Sequence, residues 1–268
     1  MSEGETVADI PVVILCGGEG TRIREASERL PKPLIDIGGR PILWHIMKIY
    51  AHHGYRRFVL CLGYKAWDIK EYFLRFRENG ADFTVHTRGS RELVFHGEDG
   101  TEDFEVTCVE TGLHTGTGGR VARVQRFIDT SRFMLTYGDG IGDVDISDLV
   151  GAHIANGRIG TVTAVHPSSR YGEMRVDGAN VAEFNEKPTL ADGWVSGGFF
   201  VFERSFFEYL EEDVECFLES EPLRKLAADG QLSMFPHLGF WRGMDTYREY
   251  TELNRLWDQQ QAPWKVWP

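Results

Sequence analysis

The segment that most constrains the fold of this chain is VVILCGGEGTRIREASERLPKPL, at positions 12–34. It opens with an apolar run, Val12–Leu15, which predicts a short buried strand. A glycine loop follows directly, with glycine at positions 17, 18 and 20. Glycines after a strand allow backbone N–H groups to face a phosphate, since no Cβ atom stands in the way. The cations Arg22 and Lys32 follow, so we expect this loop to bind a polyphosphate.

The loop differs from the two standard phosphate-binding motifs. The sequence lacks G-x-x-x-x-G-K-[ST], and G-x-G-x-x-G fails at Ile23, where its last glycine would fall. The pattern present is L-x-G-G-x-G-T-R, followed by P-K-P. An ordinary structural turn is the alternative interpretation, but such a turn has no need of Arg22 and Lys32.

The charge balance excludes some classes of partner. The formal net charge is −12 at pH 7, which argues against non-specific binding to nucleic acid. Because this charge also repels a polyphosphate, the site has to be locally positive or contain a divalent cation. No apolar run approaches the ~20 residues of a membrane span, and positions 1–11 lack the basic and apolar regions of a secretory signal. We therefore expect no membrane association, a cytoplasmic location and four free thiols, at positions 16, 61, 108 and 216.

Strand-like and helix-like segments alternate along the first part of the chain. Phe58–Leu62 and Arg132–Tyr137 have the composition of buried strands, and positions 41–54 and 67–76 have helical spacing. This alternation predicts a Rossmann-like α/β fold with a mixed, mostly parallel sheet flanked by helices, and a ligand site beyond the carboxyl ends of the strands. The runs ELVFH and EVTCVE on either side of positions 97–100 predict a hairpin. After Gly157 the strand-like runs come closer together, which predicts mixed or antiparallel strands and a smaller lobe.

Two aspartates are candidate metal ligands. Asp139 follows a predicted buried strand, at the sheet edge where metal-binding carboxylates commonly lie, and Asp245 lies in WRGMDT. Mg²⁺ is held by one or two carboxylates together with substrate phosphates. The alternatives are a turn aspartate at Asp139 and the N-cap of the following helix at Asp245.

The second lobe contains further candidates for contact with a ligand. Glu186 and Lys187 follow a predicted strand, and Lys187 could meet a sugar phosphate; an exposed ion pair is the alternative. The glycines of HPSSRYGEM and WVSGGFFVF, including Gly172, would let a flat ligand approach the backbone, or they mark an ordinary turn or bulge. The sequence lacks Cys/His zinc-ligand spacing and a G-x-S-x-G elbow, which argues against a zinc site and a serine hydrolase.

Together these segments resemble the sugar-1-phosphate nucleotidylyltransferases, and within that family its glucose-1-phosphate-specific cytidylyltransferase branch. The glycine loop and P-K-P are typical of the wider family. The narrower match runs through IGGRPILWHIMKIYAHHGYRRFVLCLGYKAWDIKEYF, TGGRVARV, LTYGDGIGDVDI, EKP, GGFFVF, GFWRGMDT and APWKVWP. The resemblance implies a Mg²⁺-dependent homo-oligomeric enzyme that converts CTP and α-D-glucose 1-phosphate into CDP-glucose and pyrophosphate.

The resemblance also implies roles for individual residues. It assigns catalysis to Arg22, Lys32 and Asp139, and the metal to Asp139 and Asp245. It assigns nucleotide binding to Leu15, Cys16, Gly17, Gly18, Glu19, Gly20, Thr21, Arg22, Thr115, Arg120 and Gly138. It assigns sugar-phosphate binding to Lys187, and we expect Gly172, Glu186 and Ser196 to contribute to the same site. The single domain, residues 1–268, then divides into a nucleotide-binding half at about 11–157, a sugar-phosphate-binding half at about 158–245, and a C-terminal helix and tail at 246–268.

Two alternatives to this function stay open on the sequence. A relative with the same fold could use another nucleoside triphosphate or another sugar 1-phosphate, and Ser196 stands where the resembling branch has asparagine. A catalytically silent regulatory subunit that binds nucleotide sugars is the other alternative. The set Arg22, Lys32, Asp139, Lys187 and Asp245 is intact, which favours an active enzyme.

Overall fold

The structure is a computed structural model of the chain. The residues that it describes are 6–18, 30–88, 92–96, 102–166, 173–177, 180–185 and 193–268, and of 173–177 and 180–185 it describes the backbone only.

A seven-stranded sheet forms the centre of the fold, with the strand order β14-β10-β13-β8-β1-β4-β7. Its strands, in chain order, are β1 (Val12–Leu15), β4 (Arg57–Leu62), β7 (Glu105–Glu110), β8 (Arg132–Tyr137), β10 (Gly160–Val165), β13 (Val195–Glu203) and β14 (Leu232–His237). Strand β1 pairs in parallel with β4 and β8, β4 with β7, and β10 with β14. Only β13 among these seven strands runs in the opposite direction, between β8 and β10. The mixed, mostly parallel sheet predicted from the alternation is therefore confirmed.

Four two-stranded sheets complete the strands of the described residues. They pair β2 (Asp36–Ile37) with β3 (Arg40–Pro41), β5 (Asp82–Val85) with β6 (Leu93–His96), β9 (Gly140–Gly142) with β15 (Trp241–Gly243), and β11 (Glu173–Asp177) with β12 (Asn180–Asn185).

The hairpin expected around positions 97–100 is wrong in its pairing. Strand β6 turns back and pairs antiparallel with β5, whereas β7 joins β4 in parallel at the edge of the main sheet. Local turn residues do not determine a strand's partner when a neighbouring sheet edge offers a longer ladder: β7 aligns six residues with β4.

Seven α-helices are described. They are α1 (Ile42–His52), α2 (Ala66–Leu74), α3 (Phe76–Gly80), α4 (Thr117–Arg123), α5 (Ile146–Asn156), α6 (Glu221–Ala228) and α7 (Tyr247–Asp258). Short 3₁₀ helices lie at Val7–Asp9, Lys32–Leu34, Gln125–Phe127 and Arg204–Tyr209. Within the described ranges, none of the helices is long and apolar enough to cross a membrane.

The main sheet separates two apolar clusters, because successive side chains of a strand point to opposite faces. In β1, Val12 and Ile14 belong to the cluster that contains helix α1, and Val13 and Leu15 belong to the other. All four residues are buried, as expected for a strand in a sheet covered on both faces. The four cysteines are free, as predicted, and burial raises the pKa of the Cys16 thiol.

The C-terminal segment packs on helix α1. Trp264 is completely buried, and its indole N–H donates to Nδ1 of His45 over 3.4 Å. The other ring nitrogen of His45 lies 2.8 Å from the carbonyl oxygen of Ile37, so neutral His45 is satisfied on both sides. Burial lowers the pKa of His45 to about 4. The tail therefore joins the main core through a neutral imidazole.

Candidate active site

The glycine loop begins where β1 ends, at the carboxyl edge of the parallel strands. The amide of Cys16 still donates to the carbonyl of Cys61 in the neighbouring strand (3.0 Å), and the amide of Tyr64 donates to the carbonyl of Gly17 (3.2 Å). A Cβ atom at Gly17 would lie 2.1 Å from Nη1 of Arg120, so only glycine fits there. The close packing of the Arg120 guanidinium therefore explains why the first residue of the loop is glycine.

Gly138 and Asp139 follow β8 at the same edge. The amide of Gly138 donates to the carbonyl of Leu15 over 3.0 Å, which joins this turn to the start of the glycine loop. A Cβ atom at Gly138 would lie 2.8 Å from that carbonyl oxygen, so the turn requires glycine. The two loops are thus adjacent because the ends of parallel strands meet at one edge of a sheet.

Lys32 lies between the two candidate metal ligands. Its ammonium nitrogen is 2.6 Å from Oδ2 of Asp139 and 2.8 Å from Oδ1 of Asp245. Burial of Lys32 disfavours its charged form, but the two carboxylates outweigh burial and raise the pKa of the ammonium. The side chain of Asp139 therefore binds a distant cation, which a simple turn aspartate would not do. Three residues far apart in the sequence form one charged cluster.

The structural alternative for Asp245 was a role as the N-cap of the last helix, and the structure contradicts it. Thr246 is the N-cap of α7, and its hydroxyl accepts from the amide of Glu249 over 3.3 Å. The carboxylate of Glu249 accepts in return from the amides of Thr246 and Asp245, both at 2.8 Å. This capping box fixes the backbone of Asp245 and leaves its side chain directed to Lys32.

Arg120 is buried, and protein atoms surround its guanidinium group. It donates to Oγ1 of Thr111 at 2.9 Å and to the carbonyl oxygens of Gly17 (3.1 Å), Leu62 (3.2 Å), Gly112 (2.7 Å) and Leu113 (3.0 Å). Leu62 is the last residue of β4, and the other acceptors lie directly after β1 and β7, so Arg120 joins the ends of three parallel strands. Burial lowers the pKa of this guanidinium, but its ordinary pKa is so high that it stays charged. Arg120 thus lies at the predicted place, but it holds loops together there.

Thr115 is also buried and has a protein partner. Its hydroxyl accepts from Arg123 over 2.8 Å, and the same guanidinium donates to the carbonyl of Thr111 over 2.7 Å. Helix α4, which carries Arg120 and Arg123, therefore shapes the wall of the site through two arginines.

A cavity of about 390 Å³ lies between these loops. It is lined by Leu15, Cys16, Gly17, Gly18, Lys32, Pro33, Thr115, Gly116, Thr117, Arg120, Tyr137, Gly138, Asp139, Phe217 and Asp245. The structure thus brings together every described residue that the sequence assigned to the nucleotide, to the metal or to catalysis. Another recess, of about 480 Å³ and lined by Arg123, Arg126 and Arg204 among others, lies away from the glycine loop.

The sequence interpretation missed several residues that line this cavity. Tyr137 and Thr117 both bond to the carboxylate of Glu219, Thr117 over 2.6 Å. Burial and the carboxylate of Glu219 raise the pKa of the Tyr137 phenol. Tyr137 could have been predicted from its position directly before Gly138. Phe217, which lines the cavity, and Glu219, which bonds to two lining residues, belong to no recognisable motif. Only the folded chain brings them to the site.

Ser196 is not among the residues that line the cavity. It lies on β13 next to a break in the pairing with β10, where Val162 pairs with Phe200 but Ala164 pairs with Ser196. Gly198 within this break has φ +80°, and its amide donates to the Ser196 hydroxyl over 3.3 Å. The Gly-Gly pair therefore forms a bulge, which was one of the two structural interpretations of this segment.

Several predicted site residues lie outside the described residues. They are Glu19, Gly20, Thr21 and Arg22 of the glycine loop, and Gly172, Glu186 and Lys187 of the second half. Their roles stay predictions.

The two aspartates fit a divalent metal by their chemistry. Their carboxylates already converge on one cation, the ammonium of Lys32. In the part of the chain that the structure describes, no cluster of three or more His, Cys, Asp or Glu residues could hold a metal ion. Two carboxylates that depend on substrate oxygens for the remaining ligands are the donor set that Mg²⁺ ordinarily has in phosphate-transferring sites.

Comparison with known proteins establishes the class. The chain belongs to the nucleotidyl transferase family, whose model matches residues 11–259. Among its curated relatives are the glucose-1-phosphate cytidylyltransferases of Salmonella typhi and Salmonella typhimurium, each 43% identical over 256 residues. Each alignment covers 95% of this chain and 98% of the relative. The family expected from the motifs is thereby confirmed.

Solved structures support the fold. HddC from Yersinia pseudotuberculosis, in a structure described as complexed with GMP-PN, superposes with a TM-score of 0.68. The match covers 92% of this chain and 99% of that chain, at 22% sequence identity. At this identity the likeness concerns the arrangement of strands and helices.

Proposed function

We propose that this protein transfers a cytidylyl group from CTP to α-D-glucose 1-phosphate and releases pyrophosphate, with Mg²⁺ as the metal. The observation that carries the proposal is the 43% identity, over nearly the full length of both chains, to relatives named glucose-1-phosphate cytidylyltransferases. The charged cluster at the carboxyl edge of the sheet supports it, because this reaction requires positive charge beside phosphates.

The chemistry suits a site without a general base. The attacking group, the phosphate of the sugar phosphate, is already an anion, so no proton has to be removed from it. Catalysis then consists of positioning the two phosphates and neutralising the charge that develops between them. Lys32, next to the glycine loop, and Arg22, in the loop, are the residues that we propose for this neutralisation.

Asp139 and Asp245 would hold the Mg²⁺ ion, which when bound supplies positive charge next to the phosphates. The rigidity of both aspartates supports this role. The carbonyl of Asp139 accepts from the amide of Met244 over 2.8 Å, so the two metal-binding segments are joined through their backbones. The capping box of α7 fixes the second segment.

The nucleotide would lie along the glycine loop. Leu15, Cys16, Gly17 and Gly18 line one side of the cavity, and we propose that Glu19, Gly20 and Thr21, which follow them in the sequence, also contact the nucleotide. Thr115 and Gly138 form other walls, and Arg120 fixes the loop from behind. We assign the sugar phosphate to Gly172, Glu186, Lys187 and Ser196.

The test is the release of pyrophosphate from purified protein with Mg²⁺, CTP and glucose 1-phosphate. A panel of ATP, CTP, GTP, UTP and dTTP against glucose, galactose and mannose 1-phosphates identifies the base and the sugar. We expect the highest kcat/KM for CTP with glucose 1-phosphate. Faster turnover with another pair would replace this substrate assignment, and binding of CDP-glucose without turnover in the whole panel would favour the silent regulatory subunit.

Three further properties complete the proposal. We propose that the enzyme works as a homo-oligomer in the cytoplasm, where nucleoside triphosphates are made. We also propose that residues 11–157 bind the nucleotide and that residues 158–245 bind the sugar phosphate, within one domain. Strands from both halves share the main sheet, which supports the single domain.

A further inference from the structure

The ammonium of Lys32 is held by two carboxylates that approach it from distant parts of the chain. Asp139 follows β8 and Asp245 precedes α7, and their oxygens lie 2.6 and 2.8 Å from Nζ. Only 11% of the Lys32 side chain is exposed, against 37% and 35% for the two aspartates. The ammonium is therefore on the protein side of the cluster, and each carboxylate keeps a face towards solvent.

A divalent metal held by the same two aspartates would compete with this ammonium. It would draw on the negative charge of the same two carboxylates that now neutralise Lys32, and two cations at such short range repel each other strongly. The ammonium and the metal therefore exclude each other between Asp139 and Asp245, unless Lys32 finds another anionic partner.

The backbone on either side of Lys32 is restrained, whereas its side chain has several rotatable bonds. Pro31 and Pro33 fix φ on both sides, and Leu34 and Ile35 return hydrogen bonds to the carbonyls of Pro31 (2.8 Å) and Lys32 (3.1 Å). The four-carbon stem of lysine is flexible by comparison. Lys32 can thus leave the carboxylates by rotation of its side chain, with no movement of the loop.

We propose that Lys32 is a resident counter-ion of the metal site, which keeps divalent metal out until a nucleoside triphosphate binds. The inference rests on the proposed function, since the triphosphate supplies the new anionic partner for Lys32. When Lys32 moves to the phosphates, its bonds to Asp139 and Asp245 break, and the two carboxylates can bind the metal. Metal and nucleotide therefore bind with strong mutual dependence, and each raises the protein's affinity for the other.

The experiment titrates Mn²⁺ into protein and follows the loss of the free-ion signal by electron paramagnetic resonance, with protein-free blanks for metal bound by CTP. The wild type is expected to bind Mn²⁺ weakly alone and at least about tenfold more tightly with CTP. Lys32→Met is expected to bind Mn²⁺ tightly without nucleotide, and CTP should then add little. The matched control is Lys48→Met, since Lys48 forms a single ion pair with Glu102 at 3.0 Å, away from the site; it should behave as the wild type.

Two further measurements make the result decisive. Adding Asp139→Asn to Lys32→Met should remove the tight Mn²⁺ site, which locates it at the cluster. Mn²⁺ affinity of Lys32→Met no higher than that of the wild type would overturn the proposal. If Lys32→Met does not fold, the wild type alone can test the proposal. The proposal would be overturned if the wild type bound Mn²⁺ equally tightly with and without CTP and if Asp139→Asn abolished this binding. The metal-only titrations need neither base nor sugar, so they can succeed even where pyrophosphate release from CTP fails.

Discussion

Replacing Arg120 by methionine should destabilise the fold more than it affects the chemistry. Methionine keeps much of the apolar stem and removes the guanidinium, which bonds to four carbonyl oxygens and one hydroxyl. Two of these acceptors keep another donor: Leu62 has the amide of Thr111, and Gly17 has the amide of Tyr64.

The cost therefore comes mainly from the carbonyls of Gly112 and Leu113, whose bonds to Arg120 measure 2.7 and 3.0 Å. A polar group that loses its partner costs about 1–3 kcal/mol where it is fully buried, and these two bonds are partly buried. Two partly buried groups therefore predict a loss of about 2 kcal/mol, the lower end of twice that range, which is a large share of the stability of an ordinary domain.

Urea unfolding, followed by tryptophan fluorescence, measures this loss, and Arg126→Met on the exposed neighbouring 3₁₀ helix is the control. Arg120→Lys should recover part of the stability, since an ammonium has three donors in place of five. The opposite result would refute the structural role: a stability change below about 1 kcal/mol together with a collapse of kcat/KM. Arg120 would then serve the nucleotide directly, as the family resemblance implies.

Four further predictions concern the charged cluster, the sugar and pH. Asp139→Asn should lose most turnover while its unfolding midpoint stays close to that of the wild type; near-normal turnover at saturating Mg²⁺ would exclude a metal role. Arg22→Ala and Lys32→Ala should each lower kcat/KM by about 10²–10³, and a rise in KM alone would show that neither acts on the transition state. Ser196→Asn should sharpen the preference for glucose 1-phosphate over its epimers, as the ratio of kcat/KM values; an unchanged ratio would leave Ser196 as a bulge residue. Since His45 has a pKa of about 4 when folded and 6.5 ordinarily, its contribution is complete above pH 6.5 and is lost as pH falls through 4. This contribution amounts to about 3 kcal/mol. His45→Gln should flatten that part of the pH profile of urea unfolding, and an equally steep profile would assign acid sensitivity to other groups.

The elements that the sequence predicted well are those with a strong local signal. Arg132–Tyr137 is a strand with the predicted bounds because an apolar run ends abruptly at glycine. The last helix was also visible, and its capping box, Thr246 and Glu249, could have shown that Asp245 lies outside it. Both features depend only on neighbours in the sequence.

The features that the sequence could not predict depend on distant contacts. Nothing local shows that β6 pairs with β5, since that choice depends on which sheet edge accepts β7. Nor does the sequence around Arg120 show whether its guanidinium faces a ligand or the ends of three strands of its own protein. The convergence of Lys32 with Asp139 and Asp245 spans more than 200 residues and follows only from the assembled sheet.

Strand β13 has a consequence for building chimaeric enzymes from this protein and its relatives. This strand joins the two halves of the main sheet, since it pairs with β8 of the first half and with β10 of the second. A first half expressed alone would present β8 as an open, apolar edge, which is a template for aggregation. The two halves therefore cannot be exchanged as independent modules. A recombinant chain that takes the second half, which we propose to bind the sugar phosphate, from a relative has to acquire a β13 whose Phe199–Glu203 ladder still matches the β8 of the recipient.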